Sequence, residues 1–78
     1  MGKNQVRFVL DQTIKKMGIS GNRVAVEAKV RSNTIYDILA NNKKTISLEH
    51  LTAIRDALNQ IAADEGLSSR YDITDIIR

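Results

Sequence analysis

Apolar positions along the chain fall into runs with helical spacing, separated by short polar stretches. Val6, Val9, Leu10, Ile14 and Met17 recur at three- and four-residue intervals, which places them on one side of a helix over about residues 5–17. Arg7, Asp11, Gln12, Lys15 and Lys16 take the other side, and Gly18 is the natural stop because glycine accepts the left-handed conformation that ends helices. A second helix is expected over about residues 20–28, capped by the Ser20 hydroxyl, with Val24, Ala25 and Ala28 as its inner face. Side chains this small let another helix backbone approach closely, as a steep crossing of two short helices requires. Val30 breaks that spacing and opens a new apolar set with Ile35, Ile38 and Leu39, on a third helix over about residues 32–40 with Ser32 as its expected cap. Arg31, Asn33, Tyr36, Asp37 and Ala40 form its outward face, and Asn41-Asn42 reads as a stop and turn.

Ser47 is a second clear cap. Leu48, Leu51, Ile54, Leu58 and Ile61 then make one continuous stripe on a fourth helix that Asp64-Glu65-Gly66 should end. Beyond a loop containing Ser68 and Ser69, the residues Tyr71, Ile73, Ile76 and Ile77 predict a short fifth helix capped by Asp72. Five helices without a strand signal define an all-α bundle. A chain of 78 residues has room for one core, so residues 1–78 are expected to form a single domain, with residues 20–40 as its working part and 47–78 as a brace.

Composition narrows the chemistry. The absence of cysteine excludes disulfides and thiolate catalysis, and His50 is the lone histidine, so neither a zinc site nor any other metal centre is expected. His50 and Tyr71 are read as packing or surface residues. The carboxylates show no paired or motif spacing and there is no glycine-rich loop to cradle phosphate, so neither an enzyme nor a cofactor is expected. No apolar run approaches the roughly 20 residues of a membrane span, and no signal-peptide pattern is seen. Met1-Gly2 is followed by Val6 where a myristoylation motif needs Ser or Thr. The expectation is a soluble, cytoplasmic protein without a membrane partner.

Net charge is +3, but its distribution matters more: residues 1–44 hold nine Lys/Arg against three acids, and residues 45–78 hold three Arg against six acids. A basic front and an acidic back suit a protein that lays one face on a polyanion.

Ala25, Val30, Ile35 and Ile38, with Gly18-Ile19-Ser20 before them and Asn41-Asn42-Lys43-Lys44 after, resemble the phage-repressor/Cro (Xre-type) helix-turn-helix family over about residues 6–60. The resemblance implies a compact five-helix fold of the lambda-repressor-like type, with the helix-turn-helix in helices 2 and 3. In that pattern Ala25 packs against the recognition helix, Val30 is the apolar plug after the turn, and Ile35 and Ile38 anchor the recognition helix. Ser47-Leu48-Glu49-His50-Leu51 resembles the family's opening of helix 4. This sequence departs from the pattern at four places. Lys29 stands where glycine usually makes the turn, and Gly21 where glutamine commonly touches the DNA backbone. Arg23 replaces the frequent capping-box acid, and Arg31 takes the place of a capping Ser or Thr.

By the resemblance, Arg31, Ser32, Asn33, Tyr36 and Asp37 fall at the base-reading positions, with Ala40 at their far end. Arginine forms bidentate pairs with guanine and asparagine with adenine, so the residue types suit the task. Asp37 can either accept from a cytosine amino group or hold Arg31 or Arg23 in place, and the second is the expected role. Gly21, Asn22, Arg23, Thr34, Asn41, Lys43 and Lys44 are the candidates for phosphate contacts, which set register without reading sequence. The implied function is sequence-specific binding of double-stranded DNA by a transcriptional regulator, a repressor, in a prokaryotic, phage or mobile-element setting. One recognition helix covers few base pairs, so a homodimer on a palindromic site is expected. Leu67, Tyr71, Ile73, Ile76 and Ile77 are the expected dimer contact, as more apolar surface than a small core hides. An alternative is an antitoxin or controller protein that binds both its promoter and a protein partner through the acidic, apolar C-terminal third.

Overall fold

Four α-helices form in the computed structural model, which describes residues 7–42 and 45–77: α1 Leu10–Met17, α2 Gly21–Ala28, α3 Ser32–Leu39 and α4 Leu48–Asp64, followed by a 3-10 turn at Ile73–Asp75. All four helices end alike. The residue after each helix's final turn lies in the left-handed region at Gly18 (φ 73°), Lys29 (φ 59°), Asn41 (φ 59°) and Gly66 (φ 73°). Two backbone N–H groups then reach back to the last turn, as in Ile19 N–H to the Ile14 carbonyl (3.1 Å), Val30 to Ala25 (3.0 Å), Asn42 to Asp37 (2.8 Å) and Leu67 to Ala62 (2.8 Å). This Schellman geometry satisfies carbonyls that would otherwise lack partners. Ser20 and Ser47 cap α2 and α4 as expected, accepting the N–H groups of Arg23 (3.2 Å) and His50 (3.1 Å).

The core gathers Leu10 and Ile14 of α1, Val24 and Ala25 of α2, Ile35 and Ile38 of α3, and Leu51, Ile54, Leu58 and Ile61 of α4, with Phe8 and Ile76 from the flanking segments. α2 packs on both α3 and α4, while α1 packs on α3. Ala28 and Val30 press on the core from its edge.

Four expectations are corrected. The first helix begins at Leu10 rather than near residue 5, because Phe8 is extended and forms a β-bridge with Ile77, and the Val9 N–H donates to the Ile76 carbonyl at 2.7 Å. An aromatic and a β-branched residue suit extended backbone, and no Ser, Thr, Asp or Asn side chain caps the helix there. Val6 lies outside the described residues. The cap of α3 is Arg31, with φ −60° and ψ 139°, and Ser32 sits inside the first turn. Leu48 is 71% exposed, so the apolar stripe of α4 starts at Leu51. A first-turn side chain leans back beyond the helix start, away from the packed layer.

The fifth helix is the last correction. Asp72 does cap, accepting the Ile73 N–H at 2.7 Å within a capping box with Asp75, but the turn it starts is the three-residue 3-10 segment. The chain there is held by tertiary hydrogen bonds that compete with an α-helix. The Asn59 amide both donates to the Tyr71 carbonyl (3.0 Å) and accepts the Tyr71 N–H (2.8 Å). The buried Thr13 hydroxyl donates to the Asp75 carbonyl at 2.6 Å. Neither Thr13 nor Asn59 stands out in the sequence, since each acts only through a distant stretch of chain. Among the described residues, no helix is long and apolar enough to cross a membrane.

Candidate nucleic-acid interface

α3 presents its outer face because its inner face is fully committed. Ile35 and Ile38 are buried, Leu39 packs at the core's edge, and the remaining positions point away. Arg31, Ser32, Asn33, Tyr36, Asp37 and Ala40 are all exposed, and Thr34 is half-buried. Among the described residues, no side chain caps the first turn of α3.

The turn before α3 is built by Lys29. With φ 59° and ψ 38° it takes the left-handed place that glycine usually fills, which lets the Val30 N–H return to Ala25 and aims the chain into α3 after two further residues, Val30 and Arg31. Lys29 is exposed, and Val30 tucks against the core.

Gly21 has a packing reason. A Cβ there would stand 2.7 Å from Leu39 Cδ1 and 3.2 Å from Tyr36 Cε1, so two α3 side chains close over the start of α2 and would have to shift for any larger residue. Tyr36, 49% exposed, rests its ring edge on this buried glycine. The expected clamp residue is therefore covered by a recognition-helix side chain, and Asn22 beside it is exposed.

Arg23 and Asn41 already have partners. The Arg23 guanidinium donates to Glu65 Oε2 at 2.6 Å, across to the end of α4. Asp37 was expected to hold Arg31 or Arg23; among the described residues it holds neither, and its backbone carbonyl takes the Asn42 N–H. Glu65, expected only to help end the fourth helix, proves to be the partner of Arg23, and the one sequence signal for such a partner is an arginine at a capping position with no local acid. The Asn41 side-chain oxygen accepts the Phe8 N–H at 3.2 Å, which ties the end of α3 to the N-terminal segment. Lys43 and Lys44 lie outside the described residues.

The C-terminal apolar residues are mostly spent on the core. Ile76 is fully buried, and Tyr71, Ile73 and Ile77 pack against it, which leaves Leu67 as the large exposed one at 39%. Among the described residues no cluster of acidic, His or Cys side chains is arranged to hold a metal.

Two short helices joined by a tight turn, the second locked inward and open outward, define a helix-turn-helix protein. A family model of the Cro/C1-type HTH DNA-binding domain matches residues 9–64, and the chain belongs to that family. No curated protein and no solved structure gives a significant match to the chain. DNA is therefore the partner of this fold.

Proposed function

We propose that this protein is a sequence-specific transcriptional repressor in which residues 1–78 act as one domain and α3 reads the major groove as part of a homodimer on a palindromic site. The observation that carries the reading is the composition of α3's open face: Arg31, Ser32, Asn33, Tyr36 and Asp37 are exposed on a helix whose Ile35 and Ile38 are held in the core. In this reading Arg31 pairs with guanine, Asn33 with adenine, and Asp37 accepts from a cytosine amino group. The Asn22 N–H group, Arg23, Thr34, Lys43 and Lys44 meet phosphates and set the register, while Gly21 lies covered beneath Tyr36. Occupying the operator suffices for repression and needs no surface beyond this interface.

The dimer contact is proposed around Leu67 and the outer edges of Tyr71, Ile73 and Ile77, without Ile76. The antitoxin or controller alternative draws on the same segment. With Ile76 inside and its neighbours packed on the core, that segment offers a partner less apolar surface than its sequence suggests.

The test is duplex binding as a function of salt. Affinity is expected to fall steeply as salt rises, and the doubly substituted Lys43→Ala/Lys44→Ala protein should show a slope shallower by about 0.9 for each phosphate that the two lysines no longer neutralise. Binding that ignores salt, or no binding, overturns the proposal.

A further inference from the structure

The Arg23–Glu65 pair is unusual in where its members stand. Arg23 is the third residue of α2, at the positive end of that helix's dipole, and Glu65 directly follows α4, at the negative end of its own. Each charge is opposed by the helix that carries it, so helix stability explains neither. They meet at 2.6 Å with side chains 39% and 46% exposed. A pair so open to solvent is weak and exchanges readily for another partner.

The backbone of Arg23 is fixed, since its N–H is bonded to the Ser20 hydroxyl. Only the side chain has freedom, and it leaves from the end of α2 that lies against Tyr36 of the reading face. A cation at that end gains most when the anion it meets is a phosphate, whose neutralisation releases bound counterions.

We propose that Glu65 is an internal competitor for the DNA backbone: it holds Arg23 against the end of α4 in the free protein and gives it up to a phosphate when DNA binds. The inference rests on the reading of Arg23 as a phosphate contact. It makes Glu65, which touches no DNA itself, a determinant of affinity. The acid keeps non-specific binding weak by withholding one cation until a phosphate is close enough to take it.

The experiment measures binding of the full chain to a mixed-sequence duplex of about 20 base pairs across a salt series, for the wild type, Glu65→Gln, Arg23→Ala and the double variant. Glu65→Gln should tighten binding about two- to fivefold at low salt, the worth of an exposed ion pair. Arg23→Ala should weaken binding and make the salt slope shallower by about 0.9. In the Arg23→Ala background the gain from Glu65→Gln should shrink to half or less. An equal gain in both backgrounds means plain charge repulsion and overturns the proposal. If Arg23→Ala behaves as predicted while Glu65→Gln binds like the wild type, the competition is refuted and Arg23 remains a phosphate contact. If Arg23→Ala binds like the wild type, the phosphate role of Arg23 fails and the competition fails with it.

Discussion

Lys29 and Asn41 turn the chain with the same φ of 59°, yet they hold that conformation for different reasons. Lys29 has only the backbone of the turn to keep it there, so replacing it by glycine removes left-handed strain of about 1–2 kcal/mol and adds back about 0.5–1 kcal/mol of unfolded-state entropy. Lys29→Gly should raise stability by roughly 0.5–1 kcal/mol, seen as a thermal midpoint several degrees higher. Asn41 tolerates the conformation and its side chain accepts the Phe8 N–H. Asn41→Gly should therefore lower stability by about 0.5–1 kcal/mol in the same melting experiment, since it removes that acceptor. Gly21 is constrained by space and not by φ. In Gly21→Ala the gain in helix propensity, up to about 1 kcal/mol, offsets the displacement of Leu39 and Tyr36, so the melting midpoint should move little. DNA affinity should nonetheless fall, because the new methyl pushes Tyr36 off its seat. Parallel melting and binding measurements check this, and equal loss of both would mean that Tyr36 plays no part at the interface.

α3 and the C-terminal segment divide the labour between them. α3 is anchored by Ile35 and Ile38, and in the proposed reading its other side meets DNA, so substitutions there should separate specificity from folding. Arg31→Ala and Asn33→Ala should leave the melting midpoint unchanged while costing about 1–3 kcal/mol of discrimination at one base pair each, measured by competition between duplexes of different sequence. Unchanged preference would place the reading face elsewhere. The C-terminal segment is tied down by Thr13, Asn59 and the Val9 N–H, with Ile76 as its buried plug. Thr13→Val leaves the Asp75 carbonyl without its donor and should cost about 1–3 kcal/mol, whereas Thr13→Ser should retain most of the stability in chemical denaturation.

For the molecule as a whole, the proposed dimer on a palindromic site would set its two reading helices about 34 Å apart, one helical turn of the duplex. Leu67→Glu places a charge in the proposed dimer contact without disturbing Ile76. It should shift sedimentation toward the monomer and weaken operator binding more than non-specific binding, while a dimer that survives the charge would move the contact elsewhere. Truncation after Gly66 is a poorer test, because it removes Ile76 from the core and the bonds to Thr13 and Asn59 along with it.

The sequence by itself determined the parts that depend on neighbours within a few residues. Ser20 and Ser47 announce helix starts, Gly18 and Gly66 announce ends, and the pairs Val24/Ala25 and Ile35/Ile38 show which sides face inward, since a helix repeats its environment every three to four residues. The family pattern rides on those same short spacings, so it too was legible. Tertiary structure alone decided whatever joins distant stretches. Phe8 pairs with Ile77 and turns the predicted start of the first helix into extended chain. Thr13 finds a carbonyl 62 residues away, and Arg23 an acid 42 residues away. No spacing rule reports these partners, because nothing in the local chain brings them together. They meet only once the helices have packed, and packing is what covers Gly21, buries Ile76 and leaves Leu48 outside.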